Sequence, residues 1–113
     1  MTDRSDLLAR RCKPCEGGQP LSPDEIRDLL GRVGDWKLDP GGKQIRRTFE
    51  FKNFHETMAF VNALAWVAHR EDHHPDLEVG YRRCVVRYST HALGGLSEND
   101  FICAAKVDAL LSA

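Results

Sequence analysis

The spacing of apolar positions divides the chain into seven regular segments behind a breaker-rich start. Ile26, Leu29, Leu30 and Val33 recur at helical spacing, because residues three and four apart share a helix face. Ser22, Pro23 and Glu25 stand ahead of them as N-cap, N1 and N3. Gly31 and Gly34 help stop that helix near Gly34. Trp36-Lys37-Leu38 and the turn cluster Asp39-Pro40-Gly41-Gly42 lead into a strand over residues 44–51. There Ile45, Phe49 and Phe51 share one face with a single polar exception, Arg47. Gln44, Arg46, Thr48 and Glu50 share the other. This period of two predicts a hairpin with one solvated face.

Asn53 and Glu56 mark the start of a second helix, by the N-cap and N3 rule. It is expected to run to about Asp72, with Phe54, Met58, Val61, Ala65 and Ala68 as its stripe, widened by Phe60, Leu64 and Val67. Pro75 bounds it, since the residue before a proline is pushed out of the α region. A second hairpin is expected from residues 77–79 and 84–89, with Cys84, Val86 and Tyr88 on one side. After Gly94-Gly95, Ser97-Glu98-Asn99-Asp100 opens a last helix carrying Phe101, Ala104, Ala105, Val107, Asp108 and Leu111. The order is αββαββα. Two hairpins joined into one four-stranded antiparallel sheet, with three helices on one face, make an α+β two-layer sandwich. Residues 1–20 read as an N-terminal arm and 21–113 as the folded domain. Open sheet edges point to a homodimer or homotetramer.

A chain of 113 residues with 42% hydrophobic content is one globular domain's worth. Its net charge of −1 and pI of about 6.5 argue against a dominant electrostatic attraction to nucleic acid or an anionic membrane. No apolar run approaches the ~20 residues that span a bilayer. Residues 1–11 mix acids and bases and lack the apolar stretch of a secretory signal. A cytoplasmic, reducing location is therefore expected, with Cys12, Cys15, Cys84 and Cys103 as thiols. The single CxxC at Cys12 and Cys15 supplies two ligands where structural zinc wants four. It also lacks the βαβ setting of a redox motif.

Four of the five histidines, His69, His73, His74 and His91, fall between residues 69 and 91. His69 and His73 are four apart and are expected to share a face near the helix C-terminus, where the dipole favours an imidazolium. His74 is held extended by Pro75. His91 follows the last strand and meets the His73–His74 pair if that strand returns beside the helix end. An imidazole titrates near neutrality, so it takes or gives a proton there. Eliminating water requires one group to accept a proton and another to protonate the departing hydroxyl. Two or three imidazoles around a flat, polar heterocycle meet that requirement without a metal. His55, at the start of its helix, reads as a solvated side chain. Asp100 reads as N3 of a capping box with Ser97, positioned to orient His91 as well.

The segment His69-Arg70-Glu71-Asp72-His73-His74-Pro75, followed by Tyr81, His91 and Asp100, resembles the signature of the pterin-4a-carbinolamine dehydratase family. Residues 89–100 are similar to that family's final strand, loop and helix start. The resemblance covers about residues 22–112 and is densest over 69–100. It implies dehydration of 4a-hydroxytetrahydrobiopterin, the product of aromatic amino-acid hydroxylases, to quinonoid dihydrobiopterin, with no cofactor. Carried over by position, His73 is the principal general acid/base and His91 the second. His74 also binds and orients the pterin, with His69, Tyr81 and Asp100 completing the substrate site. The chain departs from the family pattern at His69, where Glu is frequent, and at Leu77, where an aromatic is frequent.

Two rival readings accompany this one. His69-x₃-His73, with His74 and His91, has the spacing of a metal site, although no HExxH glutamate accompanies it. The apolar last helix and open sheet edges also suit a non-catalytic dimerisation module.

Overall fold

The computed structural model describes residues 4–14 and 18–111; Cys15, half of the CxxC pair, lies outside them. The elements in chain order are α1 (Arg4–Leu8), α2 (Pro23–Leu30), β1 (Lys37–Leu38), β2 (Ile45–Glu50), α3 (Phe54–Glu71), β3 (Asp76–Val79), β4 (Arg83–Tyr88), a 3₁₀ turn (His91–Leu93) and α4 (Glu98–Ala109). The four strands form one antiparallel sheet in the order β1-β2-β4-β3. The α+β architecture is therefore the one the hydrophobic pattern predicts. One short helix, α1, precedes the three expected, within the stretch read as an arm. Its Leu7 is fully buried in the common core, and Lys106 of α4 donates to the Leu8 carbonyl at 3.0 Å.

Local chemistry accounts for the helix starts. Ser22 Oγ accepts from Glu25 N–H at 3.2 Å, and Glu25 Oε1 accepts from Ser22 N–H at 2.9 Å. This reciprocal box satisfies two of the donors orphaned at a helix start. Asn53 Oδ1 does the same for Glu56 N–H at 2.8 Å. The sheet turns Ile45 and Phe49 of β2, and Cys84, Val86 and Tyr88 of β4, toward the helices; all five are buried. Arg47 shares that apolar face and is neutralised there by Asp108 of α4, with Nη1 2.7 Å from a carboxylate that is 2% exposed. Asp108 also accepts from Trp36 Nε1 at 2.9 Å.

Helix α4 is the centre of the molecule. Phe101, Ile102, Cys103, Ala104, Ala105 and Val107 are all fully buried, so the middle turns of the helix are enclosed on every side. Its alanines let neighbouring helices approach closely. In α3 the buried stripe is Thr57, Phe60, Leu64, Ala68 and Glu71, so the expected stripe is corrected: Phe54 and Ala65 face outward. The stripe is displaced because two polar side chains find partners inside. The Thr57 hydroxyl lies 3.0 Å from the Asn53 and Tyr81 carbonyls, and the Glu71 carboxylate receives the N-terminal segment.

Candidate active site

The site forms where α3 ends, β4 ends and α4 begins. Asp72 adopts the left-handed conformation (φ 51°, ψ 43°), which Asp tolerates better than most side chains. The turn then closes as a Schellman motif. Asp72 N–H donates to the His69 carbonyl at 3.3 Å and His73 N–H to the Ala68 carbonyl at 3.2 Å. This turn takes His73 out of the helix, so His69 and His73 do not share a helical face as their spacing predicted. His69 instead remains on α3 and packs against Trp66, ring centroids 5.7 Å apart.

Beyond the turn, the His73 ring lies parallel to the buried Tyr88 ring, with centroids 5.7 Å apart and planes within 7°. Burial pushes the Tyr88 hydroxyl far above its ordinary range, with Cys103 adding to the effect, so the phenol stays protonated and offers His73 a flat surface. On its other side His73 Nε2 is 2.6 Å from Asp100 Oδ1. Asp100 is fully buried. Its Oδ2 accepts from Thr90 O–H at 2.8 Å and from Ser97 N–H at 2.9 Å, and the Ser97 and Thr90 hydroxyls are 2.7 Å apart. With Oδ2 committed to two donors, Oδ1 is left to accept from His73 Nε2–H. That places the ring proton on Nε2 and leaves Nδ1 as the basic nitrogen. Asp100 thus combines its capping role with orientation of a histidine, and that histidine is His73 rather than the expected His91.

His73, His74 and His91 border one cavity of about 310 Å³, together with Ser89, Thr90 and Asn99. This volume is at the small end for a small-molecule site. His91 reaches it from the 3₁₀ turn after β4. That turn is closed by a Thr90–Gly95 bridge and by Gly94, whose φ of 65° suits glycine. A larger cavity of about 470 Å³ adjoins it across Ser89, Thr90 and His91. It carries one imidazole, alongside Asp39 and Lys43. The smaller cavity carries three.

Three residues expected in the substrate site do not line the smaller cavity: Asp100, fully buried, meets it only through His73, and His69 and Tyr81 lie elsewhere. His69 does not line the cavity. Tyr81 stacks on Phe54 with centroids 6.0 Å apart and is largely exposed, and it too is absent from the cavity wall. Conversely, Thr90, Tyr88 and Asn99 were not singled out by sequence reasoning. Alternation placed Tyr88 on the inner face of β4, but nothing in the sequence announced its stacking partner. Among the described residues, no cluster of three or more His, Cys, Asp and Glu side chains is arranged to hold a metal ion, and no helix is long and apolar enough to cross a membrane.

Residues 19–110 match the sequence profile of the family described as Pterin 4 alpha carbinolamine dehydratase. A protein of Nitrosomonas eutropha, provisionally named pterin-4-alpha-carbinolamine dehydratase, is 61% identical over 113 residues, covering 98% of each chain. A Nitrosospira multiformis protein with the same provisional name is 59% identical over 110 residues, covering 96% of each. Among solved structures, a transcriptional coactivator/pterin dehydratase from Brucella melitensis superposes with a TM-score of 0.78 at 32% identity, over 81% of this chain and 98% of that one. A pterin dehydratase-like RuBisCO assembly factor of the alpha-carboxysome superposes with a TM-score of 0.61 at 25% identity, over 71% and 93%.

Proposed function

The chain belongs to the pterin-4-alpha-carbinolamine dehydratase family, and on that premise we propose that it removes water from 4a-hydroxytetrahydrobiopterin to give quinonoid dihydrobiopterin. The observation that carries this reading is the meeting of three imidazoles at one small cavity, one of them backed by a buried carboxylate. In the proposed reaction His73 Nδ1 takes the proton from N5 of the pterin. The N5–C4a bond gains double-bond character as the C4a–O bond breaks. His91, as its imidazolium, gives a proton to the departing hydroxyl, which leaves as water. His74 holds the ring between them. Asp100 steadies the positive charge arriving on His73, as a carboxylate does for histidine in a hydrolytic triad. Each correctly placed proton transfer contributes typically 10²–10⁴-fold. The active unit is a homodimer or homotetramer, working in the cytoplasm to recycle the pterin cofactor of an aromatic amino-acid hydroxylase.

The test follows freshly generated carbinolamine by absorbance, with and without the protein. Acceleration that is lost in His73→Ala supports the reading, and a decay rate indifferent to the wild-type protein defeats it. In that event a second reading takes over. The RuBisCO assembly factor superposes on this fold, and the exposed Leu77 and Val79 of edge strand β3 suit a non-catalytic binding module.

A further inference from the structure

We propose that residues 11–14 form a fixed wall of the pterin cavity, and that Glu71 is the positioning residue that holds them there; this rests on the pterin reading above. Lys13 and Pro14 line the same cavity as His73, His74 and His91, although they lie before residue 19, where the family match begins. A segment of irregular chain at the mouth of a cavity would ordinarily be mobile, and ordering it on binding would oppose affinity.

Here it is tied to both helices that flank the site. Cys12 N–H donates to Glu71 Oε1 at 2.8 Å. Arg11 Nε lies 3.1 Å from Glu71 Oε2, and Arg11 Nη2 donates to the Arg70 carbonyl at 3.3 Å. On the α4 side the Asn99 amide imitates a neighbouring strand. Its Oδ1 accepts from Lys13 N–H at 3.0 Å, and its Nδ2 donates to the Lys13 carbonyl at 2.6 Å. Cys12 Sγ also rests 3.5 Å from Cys103 Sγ on α4.

Glu71 is the informative member. Its side chain is 4% exposed, and a carboxylate that deep must be paired. Burial raises its pKa, but the Cys12 N–H bond and the Lys106 and Arg11 charges outweigh that and leave it lowered. It does not line the histidine cavity, and its carboxylate holds the segment that does. The wall touches substrate and transition state alike, which makes its contribution one of uniform binding, visible in KM and silent in kcat.

The experiment measures dehydration kinetics, and the Kd of biopterin as a stable pterin probe, for full-length Glu71→Ala and Glu71→Gln. Glu71→Ala is expected to raise KM and Kd about fivefold, the scale of one lost hydrogen-bonded contact, with kcat within about twofold. Glu71→Gln keeps an acceptor for Cys12 N–H and restores most of the affinity. Should Glu71→Ala not fold, the exposed pair Lys13→Ala and Pro14→Gly, made together, is expected to give the same rise in KM. An unchanged KM in these variants, or a fall in kcat alone, overturns the inference while leaving the dehydratase reading intact. A wild-type protein that neither binds biopterin nor speeds dehydration overturns both.

Discussion

Replacing Asp100 with Asn tests the site at the point where fold and chemistry share one side chain. Asp100 Oδ2 holds Thr90 O–H and Ser97 N–H at 2.8 and 2.9 Å, and Oδ1 meets His73 Nε2 at 2.6 Å. In Asp100→Asn the amide oxygen must take the Oδ2 position, since both partners there are donors. The NH₂ then faces His73 Nε2, and two donors cannot share a hydrogen bond. The ring must move its proton to Nδ1, the nitrogen assigned as the base. It also loses the buried carboxylate that accepts its Nε2 proton. A charge-assisted hydrogen bond contributes about 1.5–3 kcal/mol, and about 1.4 kcal/mol is tenfold in rate. The expected result is therefore a fall in kcat of roughly 100-fold with KM nearly unchanged. The capping bonds survive, so the thermal midpoint falls only slightly. Absorbance-followed carbinolamine decay supplies the rates, and circular dichroism the melting curve. A kcat within threefold of wild type, in a folded variant, would refute the assignment of Asp100 as the partner that sets the His73 tautomer.

Three further outcomes follow from geometry elsewhere in the molecule. Asp72→Gly relieves a left-handed residue (φ 51°) and is expected to stabilise by about 0.5–1 kcal/mol in urea unfolding. Asp108→Ala leaves Arg47 with the longer 3.8 Å contact to Asp35 and Trp36 Nε1 without its acceptor, with an expected loss of about 3 kcal/mol, the low end for breaking a buried pair, in the same measurement. The folded-state pKa of Glu71 lies below its ordinary 4.5. Its contribution is thus complete above the unfolded value and is lost as pH falls through the folded one. Melting temperatures below about pH 4.5 should decline less steeply in Glu71→Gln than in wild type.

Where each side chain's role depends on near neighbours in sequence, the sequence was a sufficient guide. The Ser22–Glu25 box, the Asn53 cap and the alternation that isolates Arg47 all depend on residues a few positions apart, and all appear at those places. The convergence of His73, His74 and His91 was also readable, because a proline, a strand end and a glycine pair confine them. What failed to show were features decided by distant partners. Thr57 and Glu71 look like surface residues of α3 until the Tyr81 carbonyl and the Cys12 amide arrive from 24 and 59 residues away. The helix face shared by His69 and His73 was an extrapolation of regular geometry past a residue that breaks it. Helix α1 has five residues, too few to show a period, and only its docking on α4 gives it a reason to form.

The burial of α4 has a consequence for how the two halves of the site move. Amides in the middle of a helix enclosed on every side exchange with solvent chiefly when the whole domain opens, and Asp100 rides on the first turn of that helix. The His73 ring, clamped between Asp100 and Tyr88, is thereby tied to the slowest clock in the protein. His74 and His91 are exposed residues beside it, a setting in which side-chain rotation takes picoseconds to nanoseconds. One imidazole is held by buried partners while its two companions stand at the exposed rim of the cavity.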